Sequence, residues 1–148
     1  MEKEEFFSPH FTLAELTRSR TAVKRHLTND PDSEAISALQ ELCRVVLEPL
    51  RRMWDEPIIV TSGYRSPRLN RAVGGVPTSQ HCLGMAADIV AVNPEDTITL
   101  GRLAQSLQLP FDQLIFEGLN RTETCCQWIH ISYNPGGKNR NVVLRNYN

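Results

Sequence analysis

The chain has no long apolar run: nothing in it approaches the eighteen or so consecutive apolar residues of a membrane-spanning helix. Its opening, M-E-K-E-E-F-F-S-P-H, is acidic and polar and lacks the apolar centre of a signal peptide. The expectation is a protein made and kept in the cytoplasm unless another system releases it, with no membrane partner. An excess of charge is missing too. Lys and Arg number 16 and Asp and Glu 17, a net charge of -1, which exerts no global pull on nucleic acid or anionic lipid. No nucleic-acid-binding module is recognisable, although Arg65, Arg68 and Arg71 lie close enough in sequence for a local basic patch. Cysteine is scarce. Cys43, Cys82, Cys125 and Cys126 are too few and too irregularly spaced for a disulfide framework. The adjacent Cys125-Cys126 pair lacks the C-x-x-C spacing of a structural zinc site. Reduced thiols in a reducing compartment are expected, with Cys43 a small hydrophobe on the apolar face of a helix. Internal repeats and low-complexity segments are absent as well.

What is there reads as one domain over residues 1–148, with the composition of a soluble globular protein, 41% hydrophobic and 22% charged. Phe11 to Leu16 opens a short helix in which Thr12 and Glu15 fit a capping box. Thr28 to Asp32 is a turn by composition. Ser33 is the expected cap of the longest helix, whose apolar stripe of Ile36, Leu39, Cys43, Val46, Leu47, Leu50 and Trp54 recurs at spacings of three and four. Pro49 inside that stripe predicts a kink or local break. Pro57 to Thr61 reads as a buried strand. After a loop at Ser62 to Pro67 and one helical turn at Pro67 to Ala72, the Gly74-Gly75 loop delivers His81. Further strands are expected at Ala86 to Val92, Asp112 to Glu117, Trp128 to Tyr133 and, at an edge, Asn141 to Arg145. A helix starting at Pro94 buries Leu100, Leu103, Ala104 and Leu107. Short turns after Pro110 imply antiparallel pairing with helices on one side. The fold class is therefore α+β, a small antiparallel sheet flanked by helices.

Two stretches concentrate the chemistry. Ser79 to Asp88, S-Q-H-C-L-G-M-A-A-D, and Trp128 to Ser132, W-I-H-I-S, offer the imidazoles of His81 and His130 and the carboxylate of Asp88. A catalytic zinc ion takes three protein ligands of this kind and leaves a fourth position for water. His81 and Asp88 are too far apart in sequence to share a helix face as an i, i+4 pair does. A loop running into a strand can fold the histidine back over the aspartate. His130 lies on the same face of its strand as Trp128 and Ser132, and it reaches the others if the two strands are neighbours. Each residue alone has a plainer reading. A single histidine on a strand is more often a hydrogen-bonded structural residue, and a single aspartate before an apolar run is usually a turn or cap. The combination carries the case.

Three ordered motifs, S-G-Y-R-S-P-x-x-N from Ser62, S-x-H-x-x-G-x-A-x-D-I from Ser79 and W-x-H-x-S from Trp128, resemble the zinc D-Ala-D-Ala carboxypeptidase and murein endopeptidase family. Its relatives include the vancomycin-resistance D-Ala-D-Ala dipeptidase, phage L-alanyl-D-glutamate endolysins and, in fold, the Hedgehog signalling domain. F-T-L-A-E-L-T-R-S and V-L-E-P-L-R are also similar to a small cytoplasmic or phage-borne branch, so the resemblance spans Phe6 to Tyr147. It implies a Hedgehog/DD-peptidase-like fold and one zinc ion held by His81, Asp88 and His130. It implies that Arg65 clamps a substrate carboxylate or carbonyl, a task that suits a planar guanidinium. Ser79 falls beside the substrate, and a loop-stabilising hydroxyl explains it equally well. Trp128 is a further expected substrate contact. Relatives carry an acidic residue three positions before the last zinc histidine, or a histidine two before it. Here those positions are Gln127 and Trp128, neither of which accepts a proton from water at neutral pH.

Glu117 is therefore the expected general base, with a surface or salt-bridged strand end as its alternative; Glu123, in a polar turn, is a poorer option. On this reading zinc acidifies water and polarises the scissile carbonyl, and Glu117 takes the water's proton and passes it to the leaving amine. Arg65 holds the substrate in reach. The implied function is hydrolysis of peptide bonds in peptidoglycan stem peptides or crosslinks, by a monomer acting as carboxypeptidase or endopeptidase. A phage or prophage origin would reconcile a cytoplasmic enzyme with a wall substrate. Two other readings stay open. One is a zinc-containing domain that binds wall peptides but has lost catalysis. The other is a fold whose histidines are all structural, in which chelators change neither activity nor stability.

Overall fold

A computed structural model describes residues 4–148. Its first elements are β1 (Phe6–Ser8) and β2 (Phe11–Thr12), a small antiparallel hairpin that no sequence pattern announced. Short helices α1 (Leu13–Thr17) and α2 (Arg20–Lys24) follow. The Glu15 amide donates to Thr12 Oγ1 at 3.2 Å, and that hydroxyl donates to the Glu15 carboxylate at 3.3 Å. The expected pair therefore caps α1, with the glutamate returning to the hydroxyl of the cap.

The long helix is α3 (Ser33–Leu42) and α4 (Glu48–Trp54) joined through a π turn at Cys43–Leu47. Its cap is Asp32 and not Ser33: the Asp32 carboxylate accepts the Ala35 amide at 2.8 Å and sets a negative charge at the positive end of the helix. The local break expected at Pro49 takes the form of this π turn, across which the chain stays helical. In the π turn the Glu48 N–H reaches back to the Cys43 carbonyl, so the proline falls in the first turn of α4, where a missing N–H costs nothing. Leu39, Leu42, Cys43, Val46, Leu47 and Leu50 are fully buried. Burial pushes the Cys43 thiol far above its ordinary pKa, as expected of a small hydrophobe, and the cysteines among the described residues are all free.

The remaining elements are β3 (Ile58–Ser62), α5 (Pro67–Ala72), β4 (Ala86–Ala91), α6 (Thr97–Ser106), β5 (Gln113–Leu119), β6 (Trp128–Ser132) and β7 (Val142–Tyr147). The five strands form one sheet in the order β3-β4-β6-β5-β7. The class is α+β, as expected, and three of the four pairings are antiparallel. The pairing of β7 with β5 is parallel, contrary to expectation. After β6 the chain crosses back to the beginning of β5, where the Asn141 and Val142 amides donate to the Phe111 and Asp112 carbonyls at 3.0 Å. It therefore leaves alongside β5 in the same direction. β3 also departs from expectation: it is an edge strand buried on one face, with Ile58 and Val60 inside and Ile59 37% exposed. A short β-branched run cannot reveal whether one face or two will be covered.

The strand period divides the sheet in two. Ala87, Ile89, Leu114, Phe116, Ile129 and Ile131 share the core with Leu39, Leu47 and Leu100 of the helices. The opposite face carries Asp88, His130, Ile115 and Glu117 and is left for a cleft. No helix among the described residues is long and apolar enough to cross a membrane.

Candidate metal centre

Asp88 of β4 and His130 of β6 are direct cross-strand partners. Ser62 of β3 and Ile115 of β5 extend the same row on either side. His81 arrives from outside the sheet on a single 3-10 turn, Gln80–Leu83, whose first amides are capped by the Ser79 hydroxyl, which accepts the His81 N–H at 3.2 Å. Two glycines let this turn sit where it does. Gly84 ends it at φ 73°, and a Cβ there would overlap the Ala35 carbonyl. A Cβ at Gly63 would overlap the Leu16 carbonyl, which accepts the Tyr64 N–H at 2.7 Å. The carbonyl of Gly63 lies 2.7 Å from His81 Nδ1.

That last contact decides the chemistry of the ring. A carbonyl oxygen only accepts, so Nδ1 carries the hydrogen and a neutral His81 keeps its lone pair on Nε2. His81 Nε2 is 3.2 Å from Asp88 Oδ1, and His130 Nδ1 is 3.0 Å from the same oxygen. At His81 a lone pair thus faces a lone pair, which requires a cation, either a proton or a metal ion, whereas a neutral His130 can donate an Nδ1 hydrogen to that oxygen. One ligand atom from each residue lies within 4.8 Å of the others. Ligands on a tetrahedral ion with bonds of about 2.0–2.1 Å stand about 3.3 Å apart, close to the two observed separations. The group fits a tetrahedral divalent metal. Asp88 is ionised: burial works to raise its pKa, but the hydrogen bonds from His130 and His81 outweigh it and hold the carboxyl well below the usual range.

Arg65 is built into the wall beside this group. Its Nε donates to Ser62 Oγ at 3.1 Å and its Nη1 to Asn70 Oδ1 at 3.0 Å, while Nη2 stands 3.7 Å from Asp88 Oδ2. Buried Asn70 also donates to the Val76 carbonyl at 2.8 Å, tying the loop to the arginine. Asn70 closes the S-G-Y-R-S-P-x-x-N motif, and its being the polar residue there was the signal of a role that the sequence reading did not assign.

Arg65, Ser79, His81, Asp88, Glu117, Trp128 and His130 all line one cleft of about 500 Å³. Glu117 pairs with Trp128 in register and is thus the diagonal neighbour of His130 on the cleft face. It is not a loose strand end, because Asn146 Nδ2 on β7 donates to its Oε1 at 2.6 Å. Glu123 lies elsewhere, paired with Arg145 at 2.9 Å.

Asp112 escaped the sequence reading as well. It is buried and accepts from Arg140 Nε and Nη2 and from Gln80 Nε2, each at 2.9 Å. It thereby ties the His81 turn to the start of β5 and the crossover into β7. The Arg140 hydrogen bonds lead in lowering its pKa to about 2, against the effect of burial. A folded pKa below the unfolded value of about 3.9 gives stability that is full above pH ~4 and lost as the pH falls through about 2. Urea midpoints of Asp112→Asn and its parent should differ by about 1–2 kcal/mol at pH 6 and converge near pH 2. A gap that persists unchanged at pH 2 would contradict this assignment.

The family model described as Peptidase M15 matches residues 9–132. No curated protein matches the chain.

Proposed function

The chain belongs to the Peptidase M15 family, and from that membership we propose that it is a zinc-dependent peptidase acting on peptidoglycan stem peptides or crosslinks. The observation that carries the reading is the convergence of His81 Nε2 and His130 Nδ1 on Asp88 Oδ1, in the cleft that also holds Glu117. Zinc held by these three residues supplies a Lewis acid that polarises a carbonyl and acidifies water. The chain's own residues do the rest. Glu117, braced by Asn146 through one oxygen, accepts the proton of the attacking water and returns it to the leaving amine. Arg65, anchored through Nε and Nη1, turns further N–H groups of its fork toward a substrate oxygen. Ser79 accepts the His81 amide and keeps its own O–H free to donate to the substrate. Trp128 and Ile115 give the cleft an apolar wall.

A second reading has one observation in its favour. Gln127 and Trp128 occupy the places where relatives carry an acid or a histidine, as in a wall-peptide-binding domain without turnover. Digestion of purified muropeptides by metal-replete protein, followed by mass spectrometry, separates the two. The peptidase reading expects release of a defined residue or opening of a crosslink, abolished by a chelator. Muropeptide binding with no cleavage would establish the binding domain instead.

A further inference from the structure

A second groove, about 1010 Å³, runs along the outer edge of β3. β3 ends the sheet, and no strand among the described residues pairs with its other edge. The groove has an apolar floor that water reaches: Val23 is 78% exposed, Val73 45% and Ile59 37%. Arg18, Arg20 and Lys24 form its rim, and no carboxylate lines it. None of the three cations forms an ion pair among the described residues. The sequence from Thr17 to Asn29 contains no acidic residue, in a chain whose net charge is -1. Arg65 lines both this groove and the metal cleft, so the two adjoin at that side chain.

We propose that this groove binds an extended, carboxylate-bearing stretch of the peptide substrate, which lies along the free edge of β3 and enters the metal cleft past Arg65. The inference rests on the peptidase reading and adds to it the part of the substrate beyond the scissile bond. A free strand edge offers backbone hydrogen bonds to an extended chain, and apolar spots between cations take alternate side chains. Unpaired cations select carboxylates. Nucleic acid is a poorer fit. Single strands bind by stacking bases on aromatic rings, and the one aromatic residue along the groove, Tyr64, is buried.

The test uses metal-replete full-length protein carrying Glu117→Gln, so that binding is read without turnover. Fluorescence anisotropy compares a labelled wall stem peptide having free carboxylates with the same peptide amidated. Added Arg18→Glu, Arg20→Glu and Lys24→Glu should weaken the free-carboxylate peptide about tenfold or more and leave the amidated one nearly unchanged. The corresponding triple Gln variant should fall between, and all variants should melt like the parent because the altered side chains are exposed. Equal loss for both peptides, no loss for either, or tighter binding of a single-stranded oligonucleotide that charge reversal abolishes would overturn the proposal. Failure of the peptidase reading looks different: the protein without Glu117→Gln would cleave neither peptide, while the anisotropy contrast would persist.

Discussion

Glu117→Gln should lower turnover on muropeptides by about 10²–10⁴-fold, the usual contribution of a positioned general base. The amide keeps the size and shape of the carboxylate and can still accept the Asn146 N–H that now reaches Oε1 at 2.6 Å. What it cannot do is take a proton. Because the three metal ligands are untouched, metal content and melting temperature should match the parent. The loss should fall on kcat with KM little changed, since Glu117 is assigned to the transition state and not to uniform binding. Steady-state hydrolysis followed by mass spectrometry measures all of this. Hydrolysis that survived Glu117→Gln would place the base elsewhere.

His130→Ala should abolish hydrolysis outright and, in the same protein, remove the response to metal. An ion that binds the native state at about one hundred times its Kd stabilises it by about 2.7 kcal/mol. For a domain of this size that is about 5–10 °C in Tm. The parent should therefore melt higher with zinc than with a chelator, and His130→Ala should melt alike in both. The metal-free parent should remain folded, because the hydrophobic core includes none of the three residues that would hold the ion. Thermal unfolding by circular dichroism, with metal content determined in parallel, is sufficient. A parent whose Tm ignored both zinc and chelator would mean that the histidines are structural.

The parts of this arrangement that were legible in the sequence are those set by local rules. Strand alternation puts Asp88, His130 and Glu117 on one face, and the spacing of His81 from Asp88 requires a turn and a strand instead of a helix. The helix stripe from Leu39 to Leu50 reads directly as core. Where two rules of equal strength competed, the outcome could not be read. Asp32 and Ser33 are both good caps, and only the geometry of the turn selects Asp32. Residues whose partners are distant in sequence were hidden altogether. Asn146 meets Glu117 across 29 positions and Arg140 meets Asp112 across 28, and neither spacing has a periodicity to betray it. The parallel course of β7 was hidden for the same reason, since it depends on where the crossover docks.

The Asn146 brace comes from β7, which lies after the last residue matched by the family model. The residues that could hold the ion all lie within the matched span, whereas Glu117, the proposed proton acceptor, leans on a strand outside it. On the proposed reading, capture of the metal needs only the matched span, while the positioning of Glu117 also needs the strand beyond it. If that reading holds, a change at one asparagine on the outermost strand would silence hydrolysis while the seat of the ion and the core stayed as they are.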